Sequence, residues 1–314
     1  MVVYKDRLSL ETESELPVKW SSAAYLGAAC VIFACGLDRP IGAQELPREI
    51  HPWGRFETGA WKIVRGTSES LGESLVGTGE VLTTDSRTTL EGVDDKGVTL
   101  RLEVVAEVAG KRFRAEPQAI RQGIYGEPLG DQAQVIDLGE QKLTIQGREF
   151  PCRVAEVRVQ IAAARLNSKL FYTTDGSAMI LRRESRKTDL EGRVLEELTA
   201  ETVSVDIPCK VGSAMFSGCQ IRTVQKFPSG NSTTLAVFVR EIPGGIVCQT
   251  TKEFDEGGRL VRRTSLELVD YGLRGSLRRG VPWRWPFAGR RIYRLPPDWI
   301  EPGLLPDTGT SLMP

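Results

Sequence analysis

The sequence predicts an all-β protein: a curved antiparallel sheet, half-barrel or barrel, of about eleven strands built from repeated hairpins, with an N-terminal signal helix. Three observations predict this class. Helical periodicity is almost absent after residue 44, apolar residues alternate with charged ones, and Asp and Gly interrupt the alternation between successive runs. A period of two is typical of half-buried antiparallel strands, because successive side chains of a strand point to opposite faces.

The composition excludes several classes of function before any motif is considered. Apolar residues make up 40% of the 314 residues and charged residues 26%, as in a globular protein with a real core. The 41 basic and 41 acidic side chains cancel, so no overall field attracts nucleic acid or an anionic membrane. His51 is the only histidine, which disfavours histidine-based general base catalysis and multi-histidine metal sites.

The first element is an apolar segment near the N-terminus. Residues 21–36 carry no charge, follow Lys19 and precede Ile41-Gly42-Ala43. A short apolar run between a basic residue and a small-residue site is typical of a secretory signal, here cleaved after Ala43. We therefore expect an exported protein of the periplasm or the extracellular space. The acidic residues before position 18 suit a signal poorly, so we expect translation to begin further in, at Val18.

Two alternatives stay open for this segment. It could anchor the protein in a membrane through residues 21–36, although a spanning helix needs about 20 apolar residues. Alternatively, Ile32-Phe33-Ala34-Cys35 is a lipobox, in which case Cys35 carries an acyl chain. A buried core helix is disfavoured because polar flanks separate the run from the rest of the chain.

Strands and turns follow in a regular order. The run 98–105 places four apolar side chains on one face and mostly polar ones on the other, and the run 153–161 does so less strictly. Residues 94–97, 189–192 and 255–258 each open with Asp and end with Gly between two such runs. This pattern predicts hairpins, because the Asp carboxylate bonds nearby backbone N–H groups and Gly adopts a positive φ. The segment 115–130, rich in Gly, Pro and Gln, predicts a long loop or crossover.

An internal repeat joins these hairpins into a larger unit. When Cys152 is set on Cys219, residues 145–152 align with 212–219, and the offset stays near 66 residues over two hairpins. A third, weaker copy begins at Trp61. Duplicated sheet segments usually curl into a half-barrel or barrel that hides apolar faces and edges. The chain then divides into 1–43 (signal peptide region), 44–130 (N-terminal hairpins and loop), 131–205 (first repeat unit), 206–271 (second repeat unit) and 272–314 (Arg/Trp/Pro-rich tail).

Four cysteines remain in the mature chain, and two interpretations of them stay open. An even number in an exported protein permits disulfides, with three connectivities. The alternative is buried free thiols. A zinc site is disfavoured because the spacings are wide and no CxxC is present. The candidate disulfide residues are Cys152, Cys209, Cys219 and Cys248.

The tail differs from the rest of the chain in composition. Residues 271–297 hold seven arginines and no acidic residue, interleaved with aromatic residues and prolines. Such a tail favours peripheral contact with an anionic membrane face or docking to a protein, since Trp, Tyr and Arg dominate interface hot spots. Alternatively, the tail wraps the sheet and seals an edge. The candidate contact residues are Arg274, Arg278, Arg279, Trp283, Arg284, Trp285, Arg290, Arg291, Tyr293 and Trp299.

Catalytic motifs are missing from the sequence. The segment 175–179, Asp-Gly-Ser-Ala-Met, is not a nucleophile elbow, and His51 lies far from it in sequence. We expect His51 to be exposed near the new N-terminus. There is no phosphate loop and no Rossmann glycine pattern. We therefore expect a protein that is not an enzyme and that uses no cofactor and no metal.

The duplicated unit carries a resemblance to a known family. It combines a strand beginning near Cys, an aromatic strand, the turn and strand entry 243–247 and the pattern Asp-x-x-Gly-Arg. With the export signal, residues 139–271 resemble the LolA-like half-barrel superfamily of bacterial periplasmic proteins. The resemblance implies a curved antiparallel sheet of about eleven strands around an apolar cavity for lipid or lipoprotein acyl chains. An amphipathic helix that would plug such a cavity has no clear counterpart in this chain.

Two functions from different classes follow from these observations. The first is an exported, non-enzymatic envelope protein whose curved sheet binds an apolar ligand, lipid or lipoprotein-like, or another envelope component. The alternative is a structural or protein-interaction protein whose sheet is filled by its own side chains and whose basic, aromatic tail makes the contacts. The expected partners are thus a lipid or an envelope protein, without nucleic acid, and the sequence does not predict an oligomeric state.

Overall fold

The computed structural model describes residues 48–71, 81–108, 110–126, 133–161, 163–173, 179–273 and 292–294. The predicted signal segment and the candidate acylation site Cys35 lie outside these residues, as do the candidate contact residues of the tail other than Tyr293. Within the described ranges, no helix combines the length and the hydropathy that crossing a bilayer requires.

The described chain forms one sheet of fifteen strands, so the predicted all-β class is confirmed. The prediction of about eleven strands was too low. Fourteen strands pair antiparallel, and the short β15 lies parallel to β4. Apart from the strands, the described part has a 3₁₀ turn at Arg48–Ile50. The strands are β1 Trp61–Ser70, β2 Val81–Asp94, β3 Gly97–Val108, β4 Lys111–Arg114, β5 Gln118–Gly123, β6 Gln134–Ile145, β7 Arg148–Ile161, β8 Ala164–Tyr172, β9 Ile180–Asp189, β10 Val194–Val211, β11 Ala214–Phe227, β12 Gly230–Phe238, β13 Ile246–Asp255, β14 Leu260–Gly272 and β15 Ile292–Arg294.

Part of the difference between the predicted and the observed number of strands lies in the segment 115–130, which the sequence predicted as a loop or crossover. The strand β5 occupies residues 118–123 within it. It forms because β3 is long enough to pair with two short strands in succession: residues 97–102 pair with β5 and residues 105–108 with β4. An existing strand edge can recruit a segment of weak strand propensity, since β propensity depends strongly on context.

The order of the strands explains how the chain builds an open sheet. Along the sheet the order is β15-β4-β3-β2-β1-β14-β13-β12-β11-β10-β9-β8-β7-β6, with β5 beside β3. The strands β6 to β14 follow each other as a meander, and β14 then pairs with β1. Because β5 and β6 belong to opposite ends of this order, the connection after Gly123 must cross from one end of the sheet to the other.

Two hairpin turns, one in each predicted repeat unit, have the same geometry. Asp189 Oδ1 accepts a hydrogen bond from the backbone N–H of Arg193, and Asp255 Oδ1 accepts one from Arg259, both at 2.8 Å. In both turns the same Arg also donates from Nε to the second carboxylate oxygen, at 2.7 and 3.2 Å respectively. These side chains confirm the hairpins that the Asp-to-Gly pattern predicted at 189–192 and 255–258.

The two faces of the sheet differ in chemistry. One face, here called the outer face, carries cross-strand ion pairs such as Arg65 with Asp85 (2.8 Å) and Arg112 with Glu107 (2.7 Å). The other, here called the inner face, is buried along most strands. On β2 its members are every second residue from Thr84 to Leu90, all at most 4% exposed. This division matches the alternation that the sequence showed.

The sheet curls so that the inner faces of distant strands approach each other. Ile50 packs in a cluster with inner-face residues of β7 to β9, while Trp53 packs in a cluster with Leu90, Val98 and Leu100 of β2 and β3. Ile50 and Trp53 are only three positions apart, about 10 Å of extended chain. The inner faces of β7–β9 and of β1–β3 therefore face each other across this segment.

Candidate functional site: the covered inner face

Residues 48–60, here called the covering segment, lie over one part of the inner face. Tight turns shape it: the N–H of His51 donates to Arg48 O (3.1 Å), and that of Gly54 donates to His51 O (2.8 Å). Glycine is required at position 54, because a Cβ there would lie 2.0 Å from Arg48 O. The segment is tied to β2 by the N–H of Gly59, which donates to Leu90 O at 2.7 Å.

His51 is fully buried within the covering segment, so the expectation that it would be exposed was wrong. Its Nδ1 accepts a hydrogen bond from the backbone N–H of Trp53 at 3.2 Å, which places the proton of the neutral ring on Nε2. Burial lowers the pKa of His51 to about 4, and the nearby Gln122 side chain opposes this only in part. The adjacent Pro52 and Trp53 prefer burial, and they carry His51 with them onto the inner face.

Lys62 lies at the start of β1 on the same face and is 6% exposed. Its Nζ donates to Gly244 O at 3.4 Å and lies 5.8 Å from the centroid of the Trp53 ring. Burial lowers its pKa to about 8. Position 244 must be glycine, because a Cβ there would lie 2.8 Å from both Lys62 Nζ and Trp53 Nε1, at a φ of +67°. The covering segment, β1 and the loop before β13 thus meet around one buried ammonium group.

A row of hydroxyl side chains crosses the inner face on neighbouring strands. Strand register places them side by side on β1, β14, β13, β12 and β11, a width of about 19 Å at the usual strand spacing. Two neighbouring pairs are hydrogen-bonded, at 3.3 Å between β1 and β14 and at 2.8 Å between β13 and β12. The residues are Ser68, Thr264, Thr251, Thr234 and Thr223.

A buried arginine continues this row towards the opposite part of the sheet. Arg183 on β9 is 8% exposed and follows Ala200 of β10 in the same register. Its guanidinium donates to the hydroxyls of Ser185 (3.0 Å) and Ser168 (3.4 Å) and to Tyr125 O (3.2 Å). Tyr125 belongs to the connection after β5, so this contact fixes the connection against the inner face.

Beside the hydroxyl row, six neighbouring strands form a continuous apolar wall. Its members are at most 6% exposed, although among the described residues no second sheet layer covers them. These side chains pack against one another and form a continuous apolar surface on the inner face. The wall consists of Val64, Leu198, Ala200, Cys219, Ile221, Ala236, Phe238, Ile246 and Leu266.

All four candidate disulfide cysteines carry free thiols in the structure, so the disulfide prediction is not confirmed. Cys219 belongs to the apolar wall, and burial raises its pKa to about 12. Its Sγ lies 3.9 Å from Met179 Sδ, and Met179 also packs against the cluster that contains Cys152. Cys152 is buried, Cys209 half-buried and Cys248 exposed.

The structure places one of the candidate contact residues of the tail. Tyr293 lies in β15 and pairs with Phe113 of β4 at an edge of the sheet. At this point the tail lies along an edge of the sheet. The other nine candidate contact residues fall outside the described ranges, so their role stays a prediction.

Sequence reasoning missed the buried polar residues Lys62, Arg183 and Gln122. A weak signal existed for Lys62: it precedes Val64 and Gly66 by two and four residues, which places a charged group on the apolar side of β1. The register that brings Arg183 beside Ser168 and Ser185 depends on strand pairing across the sheet, which no local pattern fixes.

Comparisons with known proteins do not assign this chain to a family. No family model matches the chain. No curated protein matches it either. The resemblance to the LolA-like superfamily therefore stays a prediction at the level of a family.

Several solved structures show a weak likeness of fold. A Bacteroides fragilis protein described as exported, with a YmcC-like fold, shares 7% identity at a TM-score of 0.27, over 68% of this chain and 97% of that chain. A Parabacteroides distasonis protein described as a lipoprotein shares 9% at a TM-score of 0.29, over 72% of this chain and 100% of that chain. MucB, solved in complex with MucA(peri), shares 10% sequence identity at a TM-score of 0.17, over 70% of this chain and 93% of that chain.

Proposed function

We propose that this protein is an exported, non-enzymatic envelope protein whose inner sheet face binds an apolar ligand of the lipid or lipoprotein type. The observation that carries the proposal is the apolar wall, to which six neighbouring strands contribute. Binding sites for apolar molecules are concave and mostly apolar, with a few polar groups that fix orientation. The hydroxyl row and the two buried cations, Lys62 and Arg183, supply such polar groups at the border of the wall.

Export is the second part of the proposal, and it depends on the sequence. The uncharged run 21–36 after Lys19 and the small-residue site at Ala43 support it. An exported protein that hides an apolar wall from water suits an aqueous envelope compartment, where a lipid needs shielding.

A substitution that adds bulk in the apolar wall tests the binding proposal. Ala236 is 6% exposed in the middle of the wall, and Ala236→Leu adds three carbons there. We expect the affinity for hexadecanol, a neutral apolar probe, to fall at least threefold. The matched control is Ala119→Leu on β5, where the alanine is exposed. Affinity is measured by titration calorimetry, with melting curves to show that both variants fold.

Two results of this titration would contradict the proposal. In one, no sixteen-carbon apolar probe, hexadecanol included, binds the full-length protein. In the other, hexadecanol binds, but Ala236→Leu leaves its affinity at the level of Ala119→Leu. The second result would move the binding surface away from the apolar wall.

A specific observation favours a second candidate, a protein-interaction protein with a self-filled sheet. The covering segment already places Ile50 against β7–β9 and Trp53 against β1–β3, so the chain itself occupies part of its inner face. In that case the partner contacts belong to the basic, aromatic tail. Deleting the chain from Arg274 would then abolish partner association, while hexadecanol would bind neither form.

A further inference from the structure

Lys62 is a buried charge without a counter-ion in the part of the chain that the structure describes. Its side chain is 6% exposed, and Nζ makes no ion pair with a described carboxylate. Burial is the sole cause of its shifted pKa, which is consistent with the missing acidic neighbour. Burying an ammonium group costs free energy unless the group is paired and hydrogen-bonded, so an anionic partner would stabilise Lys62 at this position.

The Lys62 ammonium group also has fewer hydrogen-bond acceptors around it, among the described residues, than it has N–H donors. An ammonium group has three N–H donors. One of them reaches Gly244 O, at the long distance of 3.4 Å, and the Trp53 ring face lies 5.8 Å away. Among the described residues, no other acceptor is within hydrogen-bond distance of Nζ. Two donors are therefore left for a group from outside the described chain.

Two hydroxyl groups beside Lys62 also lack hydrogen-bond partners among the residues that the structure describes. Thr88 on β2 lies directly opposite Lys62, and Ser86 lies opposite Val64, the next inner-face residue of β1. Ser86 is 1% and Thr88 4% exposed. In the described chain, neither Ser86 Oγ nor Thr88 Oγ1 has a hydrogen-bond partner. Buried hydroxyls are nearly always satisfied, so these two point to a missing acceptor.

We propose that Lys62, Ser86 and Thr88 form a binding site for a negatively charged oxygen group, carboxylate or phosphate, at the end of an apolar ligand. This inference rests on the proposed function and names the ligand class. Such a group accepts hydrogen bonds from the ammonium and from both hydroxyls at once. Val64, next to Lys62 on the inner face, belongs to the apolar wall, so a ligand held by its head group at Lys62 has its apolar part on the wall.

The test compares three probes with the same sixteen-carbon chain on the full-length protein. Palmitate carries a carboxylate, hexadecyl phosphate carries a phosphate, and hexadecanol carries neither charge. We expect at least one of the two anions to bind tenfold or more tightly than hexadecanol at pH 7. The tighter of the two identifies the source of the anionic oxygens.

The variant Lys62→Met keeps an unbranched side chain, one heavy atom shorter, and removes the charge. We expect it to reduce the preference for the anion to less than twofold while the affinity for hexadecanol stays within twofold. The matched control Lys226→Met, at an exposed lysine of β11, should keep the full preference. A second variant, Thr88→Val, has the same shape as the native side chain and should weaken only the anion, by threefold to tenfold.

The outcomes separate this inference from the proposed function. If all three probes bind the native protein equally, the anion site is wrong and the apolar wall stands as the proposed binding surface. The same holds if Lys62→Met and Thr88→Val, both folded by circular dichroism, keep the preference. If none of the probes binds, the proposed function itself is contradicted.

Discussion

Two buried basic side chains, His51 and Lys62, make the stability of the fold depend on pH. For a base whose pKa is lowered by folding, the unfolded chain binds the proton more readily, so stability falls as the pH drops from the unfolded to the folded pKa. For His51 that window runs from 6.5 down to about 4. For Lys62 it runs from 10.5 down to about 8, so at neutral pH Lys62 already destabilises the fold.

The dependence of stability on pH between pH 6.5 and pH 4 tests the burial of His51. We expect the free energy of unfolding to fall by up to about 3 kcal/mol between pH 6.5 and pH 4. His51→Asn, whose amide oxygen can replace Nδ1 as the acceptor, should remove most of this decrease. The measurement is urea denaturation of both proteins at half-unit intervals of pH. Because His51 is the only histidine, a variant with an unchanged pH profile would show that the side chain is not buried as described.

At the residue scale the sequence predicted turn residues far better than buried polar ones. Asp189 and Asp255 were recognisable because their partners are four positions away, in the same turn. Lys62 and Gly244 lie 182 positions apart, and their contact exists only after the whole sheet has formed. The wrong expectation for His51 has the same cause, since the burial of the covering segment depends on strands far along the chain.

At the scale of elements, the loop between β12 and β13 supports the covering segment. Val239, Ile242 and Val247 form a buried cluster of their own, and Gly244 presents its backbone to both Lys62 and Trp53. The strand β5 illustrates the limit of local patterns: its six residues show no alternation, and it exists because β3 offers a free edge. Long alternating strands such as β3 were predictable, whereas short strands recruited to an edge were not.

Two glycines with similar backbone geometry, Gly244 in this loop and Gly258 in the turn between β13 and β14, distinguish the cost of backbone strain from the cost of close contact. Gly244 has a φ of +67° and Gly258 a φ of +76°, but a Cβ at Gly258 would have no neighbour within 4 Å. We expect Gly258→Ala to cost about 1 kcal/mol of stability from backbone strain alone. Gly244→Ala should cost about 2–4 kcal/mol, because the new methyl group also overlaps Lys62 and Trp53. Chemical denaturation measures both, and equal losses would contradict the close approach at Gly244.

At the scale of the whole molecule, an ion-paired outer face and an apolar inner face make one curled layer. The outer pairs, such as Arg65 with Asp85, are partly exposed and contribute little each, about 0–1 kcal/mol. Apolar burial therefore stabilises the fold, most of it on the inner face and part of it on the opposite face of β7–β9, at Val154, Phe171 and Leu181. The sequence predicted the alternation that separates the faces, but it did not predict which segment covers the inner face. Residues 48–60 have neither helical nor strand periodicity, and their role follows from the strand order that brings β7–β9 opposite β1–β3.

We propose that the inner face holds an apolar ligand in the envelope. Native mass spectrometry of the protein purified from its own host, without detergent, would detect such a ligand. We expect a bound species that denaturation releases and that extraction identifies as an apolar molecule with an acidic head group. A mass equal to that of the protein chain alone, with nothing apolar in the extract, would contradict it.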